Sequence, residues 1–173
     1  MRITAMAFRT TREEFDFLPG DVVDLAVTLE ANEFRGERDV TLIVKNVKFS
    51  ALPNETVLQA QRLVEQARRR EAFTPEQAAA LLPQREEGAK VYRVLQKYRT
   101  VPLPVERILL EAGMMEAGAE EFARVWLAAE VLKELGVAGS DGAGRYVLAP
   151  PGEKMEWENA GLVRFLKTPP VTS

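Results

Sequence analysis

The 173-residue chain contains no cysteine and no histidine. Without cysteine it has no disulfide framework and no thiolate metal site, and a reducing cytoplasm is the compartment it suits. Without histidine it lacks the commonest general base and the commonest zinc ligand. No apolar run reaches the roughly 20 residues of a membrane span, and Met1-Arg2-Ile3-Thr4 does not resemble the start of a signal peptide. A net charge of −3 gives no overall pull toward nucleic acid. Only the middle is basic: residues 51–100 carry 9 basic and 6 acidic groups, with Arg68-Arg69-Arg70 as the densest point. Cations at the end of a helix are what the helix dipole favours, so this run reads first as a solvated helix terminus.

What is present is organised around residues 21–50. Val23, Leu25, Val27 and Leu29 alternate with Asp24, Ala26, Thr28 and Glu30, the period of a strand with one buried face. Val40 to Phe49 is rich in β-branched residues and reads as its antiparallel partner. The polar run 32–38 connects them, with Gly36 suited to a positive φ. In the second strand Val40, Leu42 and Val44 share one phase, while Val47 and Phe49 fall on the other. A slip of one residue predicts a β-bulge near Lys45–Asn46. Residues 2–8 read as a further strand, residues 10–14 as a short helix start, and residues 18–21 as a Pro-Gly turn. Three strands leave two open edges, which implies strands upstream or strand exchange with a second copy.

After Pro53 the pattern turns helical. A helix over about 55–72, then one capped by Thr74 with Pro75 at its first position, form an expected connector over residues 54–84. Beyond it, Val91, Tyr92, Leu95 and Tyr98 mark the inner face of a helix. A second helix starts at Pro104 and ends at Gly113, and a third runs over about 119–135 with Phe122, Val125, Trp126, Ala129 and Leu132 inward. A glycine-rich turn over 139–144 with flanking short strands, then a helix over about 157–167, complete the chain. Three helices followed by a two-stranded wing is the winged-helix order. The fold class is thus α+β: an OB-fold-like antiparallel β domain over 1–53, the connector, and a winged-helix-like α domain over 85–173.

No catalytic constellation emerges. Glu13-Glu14, Glu86-Glu87 and Glu120-Glu121 are adjacent on helical segments, so their side chains diverge by about 100°. The glycines of 139–144 lack the context of a phosphate loop, and no acidic cluster has metal-loop spacing. The chain by itself is therefore read as non-enzymatic, without a cofactor. For binding, the hairpin offers Phe34, Arg35 and Arg38 in its loop and Lys45 and Lys48 on its second strand. Aromatics that stack on bases and cations that follow phosphates suit single-stranded nucleic acid. Glu30, Glu33 and Glu37 oppose that, and Phe34 packed beneath its own loop explains the same residue. Duplex reading is disfavoured because the third helix carries Glu120, Glu121, Glu130 and Glu134 against Arg124 and Lys133. Docking of a protein partner suits the helical lobe better.

Gly20-Asp21, Asp24-Leu25, the Asn32-Glu33-Phe34-Arg35-Gly36 element and the closing strand resemble the C-terminal OB-fold domain of the RecJ family of single-strand-specific DNA exonucleases. Met6-Ala7-Phe8 resembles the family's preceding strand. The resemblance covers about residues 3–48. Beyond it, VYRVLQKY and VLKELGVA are similar to a helical, winged-helix-like extension of firmicute-type members. It implies a C-terminal piece of such a nuclease, opening at the second OB strand and lacking the core that binds manganese or magnesium. It also implies weak contact with single-stranded DNA through Arg9, Phe34, Arg35 and Arg38.

Overall fold

A computed structural model describes residues 5–11, 15–34, 37–152 and 156–170, with the backbone alone for 32–34 and 37–39. The chain is mixed α and β and divides into two compact units, residues 1–51 and 52–173.

The first unit is a sheet of β1 (Ala5–Ala7), β2 (Val23–Phe34) and β3 (Glu37–Phe49), in the order β1-β3-β2. β2 and β3 form the long antiparallel hairpin, and β1 lies parallel to β3 with Met6 opposite Ile43. Residues 12–14 of the expected short helix lie outside the described residues. At the Pro-Gly turn Gly20 takes φ +100°, and the Asp21 amide donates to the Leu18 carbonyl at 3.1 Å.

The expected phase slip is there. Ala26 faces Asn46 while Val27 faces Val44, so Lys45 is the extra residue of a bulge on β3. Its consequence is geometric. With Lys45 looped out of register, Val40, Leu42 and Val44 come onto the same face as Val47 and Phe49, opposite Ala31, Leu29, Val27, Leu25 and Val23. One face of the hairpin is thereby apolar over residues 23–31 and 40–49, and the register places the Glu33–Arg38 pair next along it toward the turn. Phe49 is buried and meets Phe17 at 4.6 Å between ring centroids, and Phe17 meets Phe15 at 5.4 Å. Farther along, that face is open: Leu25 is 45% exposed and Leu29 65%.

The second unit is helical: α1 (Asn54–Arg68), α2 (Pro75–Leu81), α3 (Arg85–Tyr98), α4 (Val105–Glu111), α5 (Ala119–Glu134) and α6 (Gly161–Lys167). A small hairpin of β4 (Ala138–Ser140) and β5 (Tyr146–Leu148) follows α5, and a single turn of 3₁₀ helix (Trp157–Asn159) precedes α6. Leu103, between α3 and α4, exchanges both backbone hydrogen bonds with Tyr146, at 2.7 and 2.8 Å. Caps fall where the sequence places them: Thr74 and Gln77 form a reciprocal capping box, and Gly113 and Gly136 close their helices at positive φ.

α5 is the axis of this unit. α1, α2, α3, α4 and α6 all pack on it, and Phe122, Leu127, Ala128, Ala129 and Val131 have no measurable exposure. Two sequence expectations change accordingly. Residues 54–84 are not a separate connector, because α1 and α2 bury Ala60, Val64, Ala67, Ala78 and Leu81 within the same compact unit as α5. On α3 the inner stripe is Gly88, Val91, Val94 and Leu95, while Tyr92 is 38% exposed.

Candidate functional site

The residues proposed for single-strand binding spread along the hairpin rather than gathering. Arg38 lies opposite Glu33 and Phe34 opposite Glu37 near the turn, whereas Lys48 lies opposite Asp24, ten positions back along β2. At about 3.3 Å per residue that separation is roughly 33 Å. Arg35 lies outside the described residues, and of the side chains of Phe34 and Arg38 nothing is described. Arg9 follows β1 in the left-handed region at φ +62°, where a non-glycine residue ends a strand, and it is exposed. Lys45 is exposed at the bulge.

Lys48 is engaged. Its ammonium lies 3.3 Å from Asp24 Oδ2, and Ser50 Oγ donates to Asp24 Oδ1 at 2.6 Å. The Ser50 hydrogen bond, then that of Lys48, hold the Asp24 carboxyl below its ordinary 3.8. In an NMR titration Ser50→Ala and Lys48→Ala should each return the Asp24 pKa toward 3.8. Asp24 and Lys48 lie on the other face of the sheet, with Thr28, Glu30 and the buried Ile43.

The basic middle of the chain is likewise tied up. Arg68 meets Glu130 at 2.7 Å, Arg69 meets Glu71 at 3.7 Å and Arg70 meets Glu134 at 3.0 Å. Lys90, Arg93 and Lys97 on α3 border an open groove of about 400 Å³ against Glu111 and Ala112. Lys97 there is 2.7 Å from Glu111, which also accepts from the Tyr98 hydroxyl at 2.5 Å.

The helical unit contains a buried polar cluster centred on a residue that its sequence position concealed. Glu130, counted from the sequence among the acidic residues that disfavour the third helix on a duplex, is 5% exposed. It accepts from Arg68 at 2.7 Å and from the Tyr146 hydroxyl, and Lys133 approaches at 3.3 Å. The Tyr146 oxygen in turn accepts from Trp126 Nε1 at 2.8 Å and from Arg68 at 3.2 Å. The local signal was its setting, a lone charge within Leu127-Ala128-Ala129-Glu130-Val131-Leu132. Every polar atom of this cluster that faces inward has a partner, which is the arrangement of a structural tie between α1, α5 and β5.

The burial of α5 also bears on duplex DNA. A recognition helix must offer a face to the major groove. Here the exposed positions of α5 are Glu120, Glu121 and Glu134, all acidic. Among the described residues no group of three acidic, histidine or cysteine side chains is placed to hold a metal ion, and no helix is long and apolar enough to cross a membrane. No family model, curated protein or solved structure matches the chain.

Proposed function

We propose that this chain is a non-catalytic C-terminal part of a RecJ-like, single-strand-specific DNA exonuclease. In this reading residues 1–51 are a partial OB-type barrel that contacts single-stranded DNA, and residues 52–173 are a winged-helix-like module that docks a protein partner. The metal-dependent chemistry, on manganese or magnesium, belongs to a catalytic core outside these residues, and the setting is cytoplasmic.

The observation that carries the reading is the strand order β1-β3-β2, with β1 parallel to β3 and a bulged antiparallel β2–β3 hairpin. A five-stranded Greek-key barrel of the OB type pairs its third strand in parallel with its fifth, and its fourth and fifth as a hairpin. By that count the three strands correspond to the last three of five, one later than the residue resemblance alone implied. The bulge supplies the bend that a closing barrel strand needs. In the helical unit, the sequence α3, Leu103, α4, α5, β4, β5 with Leu103 bonded to Tyr146 supports the winged-helix-like reading.

A second reading, an interaction module with little DNA contact, draws on the pairing of Lys48 with Asp24 and on the open apolar face. Fluorescence anisotropy with labelled single-stranded and duplex oligonucleotides separates the two. The first reading expects single-strand preference, with a dissociation constant of roughly 10 µM or weaker at low salt, that fades as salt rises. Arg35→Ala with Arg38→Ala should abolish it, and Lys48→Ala, whose cation is already engaged, should change it little. Absence of binding even at low salt selects the interaction module.

A further inference from the structure

We propose that the outer face of α3 is a second contact for single-stranded DNA, one that takes the backbone of a strand held at the same time by the hairpin. The inference rests on the single-strand reading of residues 1–51 and gives residues 52–173 a share in that role.

From Gly88 to Val105 the chain carries Lys90, Arg93, Lys97 and Arg99 and no acidic residue. The core fixes which way they point. Gly88, Val91, Val94 and Leu95 are the inner stripe of α3, so Tyr92, Arg93, Gln96 and Lys97 are turned to solvent. Lys90, Arg93 and Lys97 are spaced by three and four residues, which sets them in one row of about 10 Å along the open groove beside α4. Arg93 steadies its guanidinium by donating from Nε to the Ala89 carbonyl at 3.1 Å. Arg99, at φ +51° just past the helix, borders a second open groove of about 440 Å³ with Gln96 and Thr100. Arg68, Arg70 and Arg85 of the same unit are taken up by carboxylates. Lys90, Arg93 and Arg99 have no ion-pair partner among the described residues, and in this row it is Lys97 that is shared, with Glu111 at 2.7 Å.

A row of cations with no carboxylate inside it attracts a phosphate backbone. Tyr92, 38% exposed and next to Arg93, adds a ring on which an unpaired base can stack, and a duplex offers no such base. An acidic protein segment would be drawn by the same charges, but protein contacts also bury apolar anchors. The groove along the row is lined mainly by charged side chains, with Val94 and Ala112 between them. Glu86, one turn before Lys90, and Glu111, beside Lys97, limit the attraction at the two ends. The row alone is therefore too weak to hold a strand when the hairpin contact is lost. Two weak sites on one strand reinforce each other once the strand is long enough to reach both.

Fluorescence anisotropy of the full chain at low salt, with labelled single strands of about 10 and about 40 nucleotides, tests this, the shorter being the reach of one site. Wild type should bind the longer strand about 30-fold more tightly, against the roughly fourfold that its extra registers alone would give. Lys90→Gln with Arg93→Gln should leave the short strand within about twofold and cut the length gain to about fourfold. On the long strand it should also flatten the slope of log affinity against log salt by about 1.4, the contribution of two phosphate contacts. Arg62→Gln with Arg164→Gln removes the same charge from exposed positions on α1 and α6 and should keep the gain. Tyr92→Ser should weaken the long strand about fivefold at an unchanged salt slope, because stacking releases no counterions. Unchanged far-UV circular dichroism checks that each variant is folded. A length gain of only about fourfold in wild type, or a larger one that Lys90→Gln with Arg93→Gln leaves intact, overturns this inference while the hairpin reading stands. Absence of binding at both lengths removes the two together. A polyglutamate peptide that displaces the long strand as well as unlabelled DNA of equal charge would overturn it too, assigning the face to an acidic protein partner.

Discussion

Glu130→Ala should lower the unfolding free energy of the helical unit by about 2–4 kcal/mol, followed as loss of helical circular dichroism in urea or heat. The carboxylate holds Arg68 from α1 and Tyr146 from β5 against α5, and its removal leaves three groups without their acceptor or ion partner. Arg68 is 40% exposed at its side chain and can rehydrate, which keeps the effect below that of a fully enclosed pair. Tyr146 is 1% exposed and cannot. Glu130→Gln retains an acceptor for the Tyr146 hydroxyl and should cost less than alanine.

The pH dependence of the same cluster separates it from a packing effect. Burial alone raises the pKa of Glu130, but hydrogen bonds from Arg68 and Tyr146, with the charges of Arg68 and Lys133, outweigh it and bring it below the ordinary 4.5. A carboxyl depressed in the folded state contributes stability above its unfolded pKa and loses it as pH falls through the folded one. Wild type should therefore lose stability below about pH 4.5 more steeply than Glu130→Gln does. At the other end burial, then the charge and hydrogen bond of Glu130, raise Tyr146 above its ordinary 10.0. Its contribution is complete below pH 10 and is lost above it, a loss that Tyr146→Phe removes.

Local features were legible in the sequence, and long-range ones were not. The bulge could be read because a one-residue phase slip within a single strand records which side each residue must take. The Thr74 cap and the glycine stops at 113 and 136 are likewise written within a few residues of where they act. Tyr92 was misplaced because a helix carrying several apolar residues admits more than one stripe, and the choice of Val94 over Tyr92 is made by α5. Residues 54–84 read as a connector for the same reason. An amphipathic helix announces that it packs, but its partner, 60 residues later, is named only by the tertiary structure. The candidate site was legible only in part: the hairpin and its loop could be located, but the pairing of Lys48 with Asp24 depends on the cross-strand register.

Gly88→Ala should destabilise the helical unit by about 1–3 kcal/mol, although alanine is the better helix former by nearly 1 kcal/mol. Gly88 lies in the middle of the first half of α3, where helix propensity alone predicts a gain. A Cβ there would stand 2.5 Å from Trp157 Cζ3 and 2.6 Å from Cη2, distances that two carbon atoms do not sustain. The indole cannot simply tilt away, because its Nε1 donates to the Pro83 carbonyl at 3.1 Å. Displacing it also disturbs the turn that carries Glu156 and Glu158 to Arg85, at 3.2 and 2.8 Å, and that leads into α6. The double substitution makes the test sharp. In a Trp157→Ala background the clash is gone, so Gly88→Ala should become neutral or stabilising by about 0.5–1 kcal/mol. That change of sign would assign the penalty to the indole. A Gly88→Ala cost that persisted without Trp157 would mean instead that the backbone of α3 needs glycine for a reason other than this contact.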